Sequence, residues 1–184
     1  MRFLRDAAIT IFLLAIVLAA AAWLLTRRGF SARAQPSAFE QFVATRLHSL
    51  SIPAGVKNQA NPFAADPGAW RAAASHFQDH CAVCHGSDGR GMTGIGRNLY
   101  PKAPDMAGTD TQQRSDGELF YIISNGIRFT GMPGWGGEDT PEEIWHLVSF
   151  IRHLPALTPE EIEEMKPAQP KPHEHSHDKP ADTH

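Results

Sequence analysis

Residues 81–85 read Cys-Ala-Val-Cys-His. On a helix, positions i and i+3 share a face. Cys81 and Cys84 are therefore placed to form thioethers to the two vinyl groups of one haem, and His85 to offer its ring to the iron. Such an iron needs a second axial ligand from the far side. Met132 is the best candidate, since Gly131 and Pro133 flank it in a loop long enough after His85 to cross the ring. A thioether is a soft ligand that favours ferrous iron, so a His/Met pair raises the reduction potential. Met106 is its rival. Met92 follows His85 too closely, and Met165 falls beyond the domain's end.

Three other chemistries fit the same five residues less well. A zinc site with His76 or His80 lacks the usual second pair of cysteine or histidine ligands. A thioredoxin-like dithiol needs a βαβ pattern, which the chain does not show. The bland reading is a chance match in an ordinary helix. It is weakened by the glycine-rich loop, the methionine loop and the apolar N-terminus that surround the motif.

The elements that must position these residues read as helices and loops. Asp66 and Pro67 predict a helix start, and Trp70, Ala73, Ala74 and Phe77 form an apolar stripe that leads into the motif. Residues 86–96 (GSDGRGMTGIG) contain five glycines and predict a loop whose backbone passes close to something flat. No Lys-Ser/Thr pair accompanies it, so it is not a phosphate loop. Residues 98–106, with Pro101 and Pro104, continue as an irregular wrap. Ser115 to Glu118 and Thr140 to Glu143 are capping boxes, the second with proline at the first helical position, and each opens a helix. Pro155 stops the last of these. No alternating run predicts a sheet, so the expected class is all-α.

Ahead of the domain, residues 7–26 run for 20 positions without a charge, closed by Arg27 and Arg28. That length spans a hydrocarbon core, and Trp23 suits the interface. A cleaved signal peptide is the competing reading, with Ala32-Arg33-Ala34 as the cleavage pattern. The apolar run is too long for it, and an uncleaved anchor is preferred. Arg27, Arg28 and Arg33 outnumber Arg2 and Arg5, so the positive-inside rule alone would leave the domain in the cytoplasm. Covalent haem attachment outside the cytoplasm argues the other way, and the expected site is the periplasmic face of a bacterial inner membrane. The expected organisation is therefore a flank (1–6), an anchor (7–26), a linker (27–65), a haem domain (66–157) and a tail (158–184).

In the linker, Phe39, Phe42, Val43, Leu47 and Leu50 recur at helical spacing before Pro53. Two placements of that apolar face are open, against the domain or near the membrane. Charge is uneven along the chain: seven basic and two acidic residues over 1–65, seven and eleven over 66–157, three and seven over 158–184. Nothing here points to nucleic acid. The two cysteines both lie in the motif, so no structural disulfide is available. The tail holds His173, His175, His177 and His184 among prolines, with no large apolar residue after Met165. It predicts disorder after one helical turn, with possible copper, zinc or nickel binding.

Residues 66–154 closely resemble class I c-type cytochromes, in particular small bacterial monohaem ones anchored by an N-terminal helix. The resemblance rests on CAVCHGSDGRG, YPKAPDM, SDGELFYIISNGIRFTGMPGW and EEIWHLVSFIRHL. It implies three or more helices around one covalent haem c, with the first and last helices packed so that Phe77 meets Trp145 or Phe150. It also implies a carbonyl from Pro101 or Pro104 that orients His85. Four-helix-bundle cytochromes, by contrast, carry the motif near the C-terminus. The expected activity is single-electron transfer without catalysis, between redox partners such as a membrane oxidase, a dehydrogenase or another cytochrome. The alternatives are a permanent subunit of a larger oxidase or dehydrogenase complex, or a haem protein whose tail handles a metal.

Overall fold

The structure, a computed structural model, describes residues 2–27, 29 and 31–165. Among them there are helices and loops but no strand, as the sequence predicts. The histidine-rich stretch after Met165 lies outside the described residues. Helix α1 (Arg2–Thr26) has a mean hydropathy of 2.7 over its most apolar 18-residue window, with none of that window buried. Its 25 residues extend about 38 Å at 1.5 Å per residue, long and apolar enough to cross a membrane. At its end the Arg27 guanidinium sits 4.6 Å from the centre of the Trp23 ring.

The linker forms α2 (Ala38–Ser51) and α3 (Ala54–Lys57). A capping box starts α2, with the Ser37 hydroxyl accepting from Glu40 N–H and the Glu40 carboxylate accepting from Ser37 N–H. The segment after α2 is sewn to the domain. Ile52 is buried, and α3 packs so closely on Gly117 that a Cβ there would strike the Val56 carbonyl. Asn61 is buried and fully used. Its Nδ2 donates to the Trp145 carbonyl (3.2 Å) and to Ser149 Oγ (2.8 Å), and its Oδ1 accepts from Phe63 N–H (2.9 Å).

The domain is built on α4 (Trp70–His76) packed against α8 (Pro141–His153). Phe77 and Phe150 are both essentially inaccessible, with ring centres 4.4 Å apart. Trp70 stacks on His153 at 4.1 Å. Of the two partners expected for Phe77, the structure selects Phe150, while Trp145 stacks on Phe120 of α7 (Asp116–Asn125) at 4.4 Å. Leu119, Ile123, Ile144, Leu147, Val148 and Ile151 complete the core. Arg152 holds the far side, donating from Nε to Asp116 Oδ1 (2.8 Å), from Nη1 to the Gln112 carbonyl (2.8 Å) and from Nη2 to the Arg114 carbonyl. One side chain thus ties α8 to the end of α6 (Thr109–Gln112) and the start of α7.

Two details differ from the sequence expectation. The first domain helix begins at Trp70 rather than Pro67. Asp66 Oδ1 accepts from Gly68 N–H (2.8 Å), and this local bond, together with the backbone freedom of glycine, makes residues 67–69 a turn. The helical turn expected after Thr158 is present as α9 (Pro159–Glu164), following a short 3₁₀ turn (Leu154–Ala156). It is held by Glu161, whose Oε2 lies 3.2 Å from His153 Nε2. Met165 then packs on the core instead of lying clear of the domain.

Replacing Asn61 by alanine removes the bonds that join the linker to α8 and leaves Phe63 N–H without its partner, at a cost of about 1–3 kcal/mol. The expected result in chemical denaturation of the haem-loaded protein is a lower midpoint, with faster amide exchange over residues 52–63. An unchanged midpoint and exchange pattern would show that the linker is not fastened through this residue.

Candidate haem site

The helix that carries the motif is not a uniform α-helix. Residues Phe77–Cys81 form a π-turn, in which Ala82 N–H donates to the Phe77 carbonyl, and α5 (Ala82–His85) follows. A π-turn inserts an extra residue and rotates what comes after it. Here it keeps Phe77 in the α8 interface while re-aiming Cys81, Cys84 and His85. Gly86 ends the helix with φ of +79°.

The glycine-rich loop turns back over this helix end. Gly91 N–H donates to the His85 carbonyl (2.6 Å). Thr93 Oγ1 serves both the Val83 and Cys84 carbonyls (2.9 and 3.1 Å) and accepts from Gly96 N–H (2.8 Å). These contacts satisfy carbonyls that a helix C-terminus leaves unpaired. Two of the glycines are required by close approach. A Cβ on Gly96 would collide with the Cys84 and Gly91 carbonyls, and one on Gly91 with the Ala103 carbonyl. The wrap then returns through Ala103 N–H to the Gly96 carbonyl (3.1 Å) and Met106 N–H to the Gly89 carbonyl (2.8 Å).

His85 is mostly enclosed. Burial lowers its proton affinity, and the carbonyl of Pro104 opposes that effect. Pro104 is thus the proline that faces the ring. Nδ1 is buried and has no hydrogen-bond partner. A neutral imidazole whose Nδ1 is enclosed in this way leaves Nε2 as the nitrogen available to a metal. Cys81 and Cys84 are free thiols. Burial, then the charges of Asp139 and Cys84, push the Cys81 thiol up to about 12. A dithiol redox centre needs the opposite shift, so the environment of Cys81 argues against the thioredoxin-like reading.

Met132 lies on a second loop, half-buried. Its N–H donates to Thr130 Oγ1 (3.1 Å) and its carbonyl accepts from Ile127 N–H (3.1 Å), closing a tight turn. The loop is pinned on both sides. Gly131 abuts the Leu99 side chain, and Gly126 and Gly134 lie so close to opposing backbone that neither has room for a Cβ. Trp135 N–H and Gly136 N–H donate to the Ile123 and Ser124 carbonyls at the end of α7 (3.0 and 2.9 Å). Beyond it, the Trp135 ring meets His80 edge-on at 5.2 Å, and Asp139 Oδ2 lies 3.2 Å from His76 Nε2. That last contact is an ion-pair distance without hydrogen-bond geometry. The methionine loop is therefore anchored to the same π-turn that leads into the cysteines.

Met106, the rival, is a core residue with 7% exposure, and Met92 is exposed. His76 and His80 are neighbours, their rings 4.9 Å apart. Among the described residues, however, no three His, Cys, Asp or Glu side chains are grouped to hold a metal ion. A surface cleft of about 320 Å³ is lined by Phe63, Trp70, Asp116, Arg152 and His153 among others, and by no residue of the motif or the methionine loop. Thr93, Trp135 and Asp139 were not legible as site residues, because each acts through a partner that its own local sequence does not reveal.

The arrangement suits a covalently attached flat ring: two thiols and an imidazole on one re-aimed helix end, a backbone wrap too tight for side chains, and a second, pinned loop that carries a methionine. It is the architecture of a class I c-type cytochrome. Residues 68–151 match the family described as cytochrome c oxidase, cbb3-type, subunit III. This segment is a c-type cytochrome domain that binds haem c covalently, and the protein functions in electron transfer.

The close approach at Gly96 makes a specific demand. Gly96→Ala should reduce covalently bound haem per polypeptide several-fold in a pyridine haemochrome assay. Gly94→Ala, whose added Cβ meets open space, should retain the wild-type ratio. Equal haem content in the two variants would refute the tight-wrap account.

Proposed function

We propose that this chain is a membrane-anchored, monohaem subunit that passes single electrons to an oxidase, with its haem domain on the periplasmic side. The observation that carries the reading is the match of residues 68–151 to a subunit family of an oxidase complex. An apolar helix long enough to span a bilayer precedes that domain. The haem supplies the redox chemistry, its iron alternating between ferric and ferrous. Cys81 and Cys84 would hold the ring by thioethers, and His85 and Met132 would ligate the iron. With two protein ligands on the iron, the protein would relay electrons and would not itself bind oxygen.

The residues around the site have distinct parts in this reading. Pro104 orients the His85 ring. The glycine loop, fastened by Thr93, closes the histidine side against water. Thr130 and Ile127 shape the turn that presents Met132, and Trp135 with Asp139 keeps that turn against the motif helix. A soft sulfur ligand would favour the reduced iron.

A freely acting membrane-tethered carrier is the second reading. It is supported by the presence of only one CxxCH motif and one cytochrome domain in the chain. Isolation from native membranes in mild detergent separates the two. A stable, stoichiometric oxidase partner is expected for a subunit, and its absence would favour the carrier.

The ligand assignment has its own test. Met132→Ala should lower the reduction potential and abolish the weak red-edge charge-transfer band of methionine-ligated ferric haem. Met106→Leu, a volume-conserving core change costing less than about 1.5 kcal/mol, should keep the band. The reverse pattern would transfer the ligand role to Met106.

A further inference from the structure

Helix α2 leaves one face uncovered. Phe39, Phe42, Leu47 and Leu50 are 75%, 62%, 63% and 80% exposed. At 100° per residue they fall on one side of the helix, together with Arg46. On the other side Gln41, Ala44 and Thr45 are exposed, and only His48 and Ser49 are shielded. His48 is partly buried there, within reach of the Arg114, Glu118 and Lys57 charges. Two hydrogen bonds hold the helix near its ends, one from the domain and one from α3. Tyr100 donates its hydroxyl proton to Glu40 Oε1 (3.0 Å), and Lys57 Nζ donates to the Ser49 carbonyl (2.7 Å). Docking on its own domain therefore does not account for the apolar face.

We infer that this face of α2 lies on the surface of the same bilayer that α1 spans, and that it holds the haem domain in a set orientation to the membrane. The inference rests on α1 being a membrane anchor. Eleven residues, 27–37, separate the two helices, so an extended connector reaches no more than about 40 Å. The tether thus keeps α2 within about 40 Å of the bilayer surface. Charge favours the same occupant. Residues 27–57 carry five basic side chains and one acidic, whereas residues 66–157 carry seven and eleven. Anionic headgroups attract the first segment and repel the second. Large apolar side chains with interspersed arginine are what an interfacial helix presents to the headgroup and acyl boundary. The Arg46 guanidinium, 5.8 Å from the Phe42 ring centre, can reach a phosphate while its stem lies over apolar surface.

The attachment has a consequence for the site. Tyr100 belongs to the wrap that follows the glycine loop, and Pro104 on that wrap faces His85. A helix that lies on the membrane and grips Tyr100 holds this side of the haem domain towards the bilayer surface. Electron exchange is then confined to partners at the membrane surface.

The test uses the full haem-loaded chain, one copy per nanodisc, in phosphatidylcholine with phosphatidylglycerol and a trace of phospholipid bearing a diazirine near the acyl ester. After illumination, lipid adducts are mapped on peptides. The expected result is adducts on both α1 and α2, with none on α7 or α8. The triple variant Phe39→Ser, Phe42→Ser, Leu50→Ser should lose the α2 adducts and keep those on α1. Adducts confined to α1 would overturn the inference while leaving the anchor in place. No adducts on α1 would overturn the anchor reading itself. Adducts on α2 that persist unchanged in the triple variant would show that the apolar face is not the contact, and would also overturn the inference.

Discussion

The contact between Phe77 and Phe150 is the constraint on which the rest of the domain depends. Phe77 follows His76, the last residue of α4, and is the first residue of the π-turn. Burying both rings against each other fixes where α4 stops and where the motif begins. Aromatic pairs of this kind contribute about 0.5–1.5 kcal/mol beyond their buried area, and the burial of each ring stabilises the fold further. With the helix fixed at Phe77, the additional residue of the π-turn determines the direction in which Cys81, Cys84 and His85 leave the core.

The loops do not build the site from flexible parts. They are held by backbone hydrogen bonds to the helix ends they adjoin, and their glycines sit where opposing backbone leaves no room for a side chain. Thr93 caps the motif helix, and the segment after Met132 returns to both α7 and the π-turn. A redox site gains from this rigidity, because little reorganisation accompanies the gain or loss of one electron. The same construction continues into the linker. Asn61, Gly117 and Tyr100 fasten residues 38–63 to the domain, so the segment nearest the anchor is part of the folded unit.

Much of this was legible from the chain. Capping boxes at Ser115 and Thr140 place α7 and α8 correctly, because the signal is local: a hydroxyl and a carboxylate three residues apart satisfy the same helix end. The CxxCH spacing and the apolar run over residues 7–26 are local in the same sense. Where the structure departs from the expectation, the competing interaction was either a small local bond or a tertiary one. Asp66 caps a turn through Gly68 instead of starting a helix at Pro67. Met165 returns to the core because α9 is drawn back by the contact of Glu161 with His153, which the composition of the acidic tail does not suggest.

The sequence by itself determined the helical class, the apolar segment and the cysteine–histidine motif, since each is written in residue type and spacing over a few turns. Tertiary structure decided which of the two candidate aromatics meets Phe77, which proline faces His85, and that Met106 belongs to the core while Met132 stays in a pinned loop. It also decided that the apolar face of α2 is left exposed. These are choices between chemically similar residues. Only the packing of distant segments separates them, because each outcome depends on which surfaces remain to be buried once α4 and α8 have met.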